Sequence, residues 1–315
     1  MVARIVISSS SFKLEDNPGI ERLRAAGLEI TTNPFGRKLT EAEISALLDA
    51  SVVGLLAGVE PLTEQVIANA GGLRVISRLG VGLDNVDLEA ARRHQVPVYS
   101  TPDAPVDAVV EMTVGLILST LRHIPESDRA VRAGNWPRSK GHLLKASTLG
   151  ILGLGRIGQR VAQVCRGFGT RVIAHDPQVR DPRHAEWVEY PALLAEADIL
   201  SLHLPYSAAT RHLMGRDSLA SMKRGAILIN TARGGLVDEA ALTDSLRQGH
   251  LAAAGLDVFE TEPYSGELLD FPQLVLTPHL ASSAIESRDA MEREAALNLY
   301  TGLCEAGVIG AAADT

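Results

Sequence analysis

Cysteine is nearly absent from this 315-residue chain: Cys165 and Cys304 are the only two, and they lie far apart. That excludes a disulfide framework and a cysteine metal cluster, and it suits a reducing compartment. Nine histidines occur, but none follows another at H-x-x-x-H or at a Cys/His ligand spacing, so no metal site is expected. No Lys/Arg-rich run interrupts a net charge of −8, which argues against a nucleic-acid footprint; solubility accounts for the acidity. An apolar run of about 18 residues, the length a membrane helix needs, is also missing. The start, Met1-Val-Ala-Arg-Ile-Val-Ile-Ser8, has no charged region leading into a long apolar one. A cytoplasmic globular protein is the expectation.

What is present is apolar material: at 46% hydrophobic the chain can bury two cores, and its length suggests about two domains. The first hundred residues alternate strands with helical patterns, the signature of α/β layering around a parallel sheet. Arg4 to Ser8, Leu28 to Thr32, Val52 to Ala57, Leu73 to Ile76 and Val96 to Tyr99 read as strands. The helix from Thr40 opens on Thr40-Glu-Ala-Glu43, which resembles a capping box. A long apolar helix, Ala108 to Leu121, follows a linker beginning at Pro102. The stretch Arg122 to Lys145 is rich in basic residues around an exposed Trp136; it is either a solvated helix and loop or an arm reaching a second subunit with Trp136 or Arg138.

The chain is organised around Thr148 to Gln159. The apolar run Leu149 to Leu152 reads as a buried strand and leads into Gly153, Gly155 and Gly158, spaced G-x-G-x-x-G at the mouth of a helix. In that motif the first glycine permits the turn, the second lets the backbone approach a pyrophosphate, and the third lets helix and strand pack closely. The phosphates meet the N–H groups of the helix start, here Arg156 and Ile157 onward. Apolar residues Ile157, Val161, Val164 and Phe168 give the helix its period, and Arg171 to Asp176 reads as the next strand. Asp176, 18 residues past Gly158, stands where a carboxylate grips ribose hydroxyls, or is a turn carboxylate before Pro177. A carboxylate there repels a 2′-phosphate, so NAD is preferred to NADP, with Arg180 nearby as a counterweight.

Ligands in open α/β sheets bind beyond the carboxyl ends of the strands. Asp176, His203, Arg233, Asp257 and His279 fall at or past such ends, with Glu262 close behind. Delivering a hydride to a ketone builds alkoxide charge, which calls for a proton donor, and His titrates near neutrality. A Glu beside it keeps it protonated, and an Arg grips a carboxylate bidentately. Arg233, Glu262 and His279 supply such a set, although His203 could replace His279 or cap a strand, and Arg233 could be a surface ion-pair residue. Earlier in the chain, Ser77 to Asp87 holds Gly80-Val81-Gly82 beside Arg78: either an anion nest with a counter-charge or a glycine-rich turn.

Gly153 to Gly158 with Asp176, Asn230-Thr-Ala-Arg-Gly-Gly235, Ala254 to Pro263 and Thr277-Pro-His279 resemble, in order and spacing, the D-isomer-specific 2-hydroxyacid dehydrogenases. The resemblance covers nearly the whole chain, and the short phosphoglycerate dehydrogenase-like and glyoxylate/hydroxypyruvate reductase members are the most similar. It implies two Rossmann-like parallel-sheet domains, an NAD-binding domain (102–283) inserted into a flavodoxin-like substrate domain (1–101 plus 284–315). It also implies a homodimer formed through the cofactor domain. Carried over by position, Arg233 binds the substrate carboxylate and keto group, His279 is the acid/base and Glu262 its partner. Asp257 is expected at the nicotinamide carboxamide; His203, Pro205, Thr210, Thr231 and Ala232 near the cofactor; and Arg78, Leu79, Gly80, Val81 and Gly82 at the substrate.

Departures bear on the substrate. Pro105-Val106 stands where relatives often carry Asn-Ser, and Ala57-Gly58-Val59-Glu60 lacks an arginine that phosphoglycerate enzymes place there. Arg78 and Arg138 are left to hold a phosphate, so 3-phosphoglycerate and glyoxylate or hydroxypyruvate both stay open. With the chain ending near residue 315, feedback through the regulatory domain of longer phosphoglycerate enzymes is not expected. A second class, an NAD(H)-sensing binding protein like the family's corepressors, can retain the same Arg, Glu and His.

Overall fold

A computed structural model describes residues 2–310. The chain forms two compact units, one from the residues up to Pro105 together with those from Ile285 on, the other from Val106–Ala284.

In the first unit the strands are β1 (Arg4–Ile7), β2 (Glu29–Thr32), β3 (Val52–Ala57), β4 (Val75–Arg78) and β5 (Val98–Tyr99). They form one all-parallel sheet in the order β2-β1-β3-β4-β5. That is the flavodoxin-like order, in which the connections change direction between β1 and β3. Helices cover both faces, so the central strands read as apolar runs rather than alternating ones. One face packs on Leu39, Ile44, Val66 and Ala90. The other packs on Ile20, Leu23 and the long helix Ile285–Glu305 through Met291, Ala295, Leu299 and Leu303. Thr40 and Glu43 make the reciprocal bonds of a capping box. Sequence reading ended the fourth strand at Ile76; the ladder runs on to pair Ala57 with Arg78. A buried hydroxyl causes this extension: Ser77 donates to the Ala295 carbonyl at 2.7 Å and remains in the sheet.

The second unit holds β6 (Thr148–Leu152), β7 (Arg171–His175), β8 (Glu186–Trp187), β9 (Ile199–Leu202), β10 (Ile227–Asn230), β11 (Ala253–Leu256) and β12 (Val275–Leu276). All seven are parallel, in the order β12-β11-β10-β9-β6-β7-β8. This is the doubly wound arrangement with a seventh strand, and its switch point lies between β6 and β9. β9, β10 and β11 are buried at every position. β8 has no apolar run and was not expected; it forms because Glu186 and Trp187 pair with Ile173 and Ala174. The helix after the glycines, Arg156–Gly167, buries Gly158, Val161, Ala162 and Cys165, while Phe168, read from sequence as part of the apolar face, caps its end and is exposed. No helix among the described residues is long and apolar enough to cross a membrane.

Candidate active site

The second unit gathers most of the expected residues beyond the carboxyl ends of its strands. Gly153 follows β6 with φ of +100°, and a Cβ there would lie 2.6 Å from the His203 carbonyl oxygen. At Gly158 a Cβ would lie 2.0 Å from the Gly153 carbonyl oxygen, so only glycine lets the helix start this close to the strand. Gly155 differs: a Cβ there would meet nothing within 4 Å. It is the N-cap of the helix and offers no side-chain acceptor to the first-turn N–H groups of Arg156, Ile157 and Gly158. A pyrophosphate fits such an open start, because the N–H groups of a helix start and the helix dipole both favour an anion.

Asp176 closes the edge of this loop. Its Oδ2 accepts the Leu154 N–H at 2.7 Å, and Oδ1 accepts those of Gln178 and Val179 at 2.8 and 3.1 Å. Burial opposes its charge, but the three N–H donors outweigh burial and hold the carboxyl below the ordinary Asp range. Arg180 is turned onto the Trp187 ring at 5.3 Å.

The loop after β9 carries His203, Pro205 and Thr210. His203 is bonded through Nε2 to Ser201 Oγ at 2.9 Å, and burial pushes its pKa down to about 4. A neutral imidazole without a carboxylate partner is poorly suited to donate a proton at neutral pH. Thr210 Oγ1 donates to the Pro205 carbonyl at 2.9 Å and accepts the Ser207 N–H at 2.8 Å, so Pro205 and Thr210 belong to one turn.

After β10, Asn230 bends the chain back on itself: its Oδ1 accepts the Ala232 N–H and its Nδ2 donates to the Arg233 carbonyl. The Thr231 hydroxyl turns inward and bonds that of Thr113 at 2.8 Å. Arg233 Nη1 donates to the Ala232 carbonyl at 2.7 Å. A Cβ on Gly234 would overlap the Phe259 carbonyl carbon at 1.9 Å, so glycine brings the Arg233 turn against the segment leading to Glu262.

His279 and Glu262 meet directly. His279 Nδ1 lies 2.8 Å from Glu262 Oε2, both side chains partly exposed, and Glu262 Oε1 accepts the Phe259 N–H at 3.1 Å. An ionised carboxylate only accepts, so Nδ1 carries the proton and Nε2 is the nitrogen left for a ligand. His279 adopts φ of +54°, and its N–H donates to the Asp257 carbonyl at 2.8 Å. The fully buried Asp257 carboxylate anchors the same loop, taking Thr277 Oγ1 at 2.6 Å and the N–H groups of Leu280 and Ala281, each at 2.8 Å. Sequence reading assigned no role to Thr113 or Thr277; only the fold gives their hydroxyls partners. Among the described residues no group of three His, Cys, Asp or Glu could hold a metal.

In the first unit, Arg78 ends β4 and is 8% exposed, with Nη1 donating to the Leu79 carbonyl. The amides of Leu79 and Gly80 are already committed, to the Ala57 carbonyl and to Thr101 Oγ1, each at 2.9 Å. Those of Val81 and Gly82 donate to no acceptor among the described residues. They are the two of the four expected amides that a carboxylate could take. Glu60, which sequence reading noted only for lacking an arginine, is 1% exposed, with Oε1 2.5 Å from Ser8 Oγ.

Comparison with known proteins gives the family. Residues 114–281 match the family model described as D-isomer specific 2-hydroxyacid dehydrogenase, NAD binding domain. The chain is 40% identical over 254 residues to a glyoxylate reductase of Thermococcus litoralis, covering 76% of this chain and 77% of that protein. It is 45% identical over 232 residues to a D-3-phosphoglycerate dehydrogenase of Mycobacterium leprae, covering 71% of this chain but only 44% of that protein. Among solved structures, a glyoxylate reductase from Paecilomyes thermophila superposes with a TM-score of 0.87 at 30% identity, over 98% of this chain and 97% of that one.

Proposed function

The chain belongs to the D-isomer specific 2-hydroxyacid dehydrogenase family, and on that premise we propose how its residues move a hydride and a proton between NAD(H) and a small 2-keto or 2-hydroxy acid. The observation that carries the reading is the His279–Glu262 pair, 2.8 Å apart. NAD(H), when bound, supplies or takes up the hydride. The open helix start at Gly155 would receive its phosphates, and Asp176 would hold the ribose and disfavour a 2′-phosphate. His279 Nε2 gives a proton to the keto oxygen in reduction and takes it back in oxidation, while Glu262 holds Nδ1–H and stabilises the charged ring. Arg233 pairs with the substrate carboxylate and polarises the ketone. In the first unit, Arg78 and the Val81 and Gly82 N–H groups form an anion seat. Asp257 fixes the loop that carries His279 and has acceptor capacity left for a carboxamide.

The same reading includes a homodimer and a cytoplasmic setting. The helix Ile124–Arg132 buries none of its residues, and Ile124, Val131, Trp136 and Leu143 are exposed, as a surface awaiting a second copy would be. The two cysteines are unpaired. The test is NADH oxidation with glyoxylate, hydroxypyruvate, pyruvate and 3-phosphohydroxypyruvate, in wild type and His279→Ala. Turnover that falls by about a hundredfold or more in the variant, with NADH binding intact, is the expected result. NADH binding without turnover of any acid by the wild type would favour a sensing role instead.

A further inference from the structure

The first unit's sheet reverses its winding between β1 and β3, and in open sheets of this order the crevice at that point is where ligands sit. The residues that follow these two strands meet across it. Ser8, directly after β1, lies with its Oγ 2.5 Å from Oε1 of Glu60, three residues after β3. The Gly58 N–H also donates to Ser8 Oγ and to Glu60 Oε1, at 3.0 and 3.2 Å. Arg78 ends the next strand, with Ala57 as its partner in the ladder. A carboxylate with 1% of its surface exposed therefore stands at the switch point, close enough to Arg78 for the two charges to act on each other.

Resting on that reading of the seat, we infer that Glu60 is a specificity-determining residue, setting this chain for 2-keto acids with an uncharged tail and against phosphorylated ones. A structural role alone, bridging Ser8 and Gly58, needs no charge; a glutamine would accept the same bonds. What the carboxylate adds is a negative charge that offsets Arg78. A phosphate ester brings a charge of about −1.5 to −2 at neutral pH. With Arg78 as the cation that takes the tail, a phosphate meets Glu60 in a poorly solvated setting, where like charges repel far more than in water. Burial already raises the Glu60 pKa, with Ser8, the backbone N–H groups and Arg78 pulling it back. An incoming phosphate would drive it further up, so binding would require Glu60 to take a proton. A hydroxyl or hydrogen tail incurs neither penalty. Rejection by a repulsive element is a common route to specificity, and it leaves the favoured substrate's contacts untouched.

The experiment compares kcat/KM for hydroxypyruvate and 3-phosphohydroxypyruvate, with NADH, in the full-length wild type, E60Q and S8A. The wild type should favour the unphosphorylated acid, and E60Q should move the ratio toward the phosphorylated one by about tenfold, chiefly through KM. S8A removes the same hydrogen bond but keeps the charge, so its ratio should stay within about twofold of wild type. A wild type that prefers 3-phosphohydroxypyruvate overturns the inference, as does a folded E60Q with an unmoved ratio; in both cases the dehydrogenase reading stands. The wild-type ratio needs no variant, so it decides even if E60Q misfolds. A wild type that binds NADH and reduces none of the four acids removes the dehydrogenase reading and the Glu60 inference together; one that reduces glyoxylate or pyruvate but not hydroxypyruvate overturns the inference alone.

Discussion

Two glycine loops, Gly153–Gly158 in one unit and Gly80–Gly82 in the other, look alike on paper and are built for different work. The first runs from a buried strand into a twelve-residue helix, and its middle glycine faces open space at an uncapped helix start. The second follows a strand whose last residue is an arginine; no helix begins there, and of the four N–H groups from Leu79 to Gly82 two are tied to Ala57 and Thr101. Both offer N–H groups to an anion. The first adds a helix dipole, suited to a pyrophosphate; the second adds one cation and two amides, suited to a carboxylate.

Substitutions should separate the two loops. Gly158→Ala drives a Cβ into a backbone carbonyl 2.0 Å away, so it should cost about 3 kcal/mol or more and abolish NADH binding. Thermal unfolding with a fluorescence titration of NADH would check both. Gly80→Ala places a Cβ 1.6 Å from the Arg78 guanidinium at a φ of +137°. It should raise KM for the keto acid by about tenfold or more while leaving NADH affinity within about twofold; equal losses in both would erase the division of labour.

Gly155→Ala tests the open approach, since its Cβ meets no protein atom within 4 Å. Stability should hold to within about 0.5 kcal/mol while NADH affinity drops by about tenfold, as a methyl group fills the space the pyrophosphate needs. The smallest effect concerns His203, whose carbonyl hems in Gly153. Its folded pKa of about 4 lies below its ordinary value of 6.5, so the unfolded chain binds the extra proton first. Stability is therefore full above about pH 6.5 and declines as pH falls toward 4. Unfolding midpoints measured across that window should slope less in His203→Asn than in wild type.

Much of this architecture was readable without coordinates. Long apolar strands such as Leu149 to Leu152 and Val52 to Ala57, the Thr40 cap and the G-x-G-x-x-G spacing are local signals, set by burial and turn chemistry. Short or shared features were not. β8 is two residues held by its neighbour, and the extra length of β4 depends on a hydroxyl bonded to a carbonyl more than two hundred residues away. The helix Arg156–Gly167 buries Cys165 and leaves Phe168 exposed because Gly169, at φ of +80°, ends it there and turns the cap residue out of the apolar face. Arg233, Glu262 and His279 could be named from their places at strand ends. Glu60 follows such an end too, but its meeting with Ser8 depends on β1 and β3 lying side by side in the sheet.

The sequence by itself determined the class of the fold, the glycine turn and the chemical types available for the reaction, because those follow from patterns within a few residues of one another. Only the tertiary structure decided which of His203 and His279 has a carboxylate partner, which amides are left to bind an anion, and that a buried acid meets Ser8 at the first unit's switch point. Each of those depends on groups distant in the chain competing for the same hydrogen bonds, and that competition is settled only when the strands take their order in the sheet.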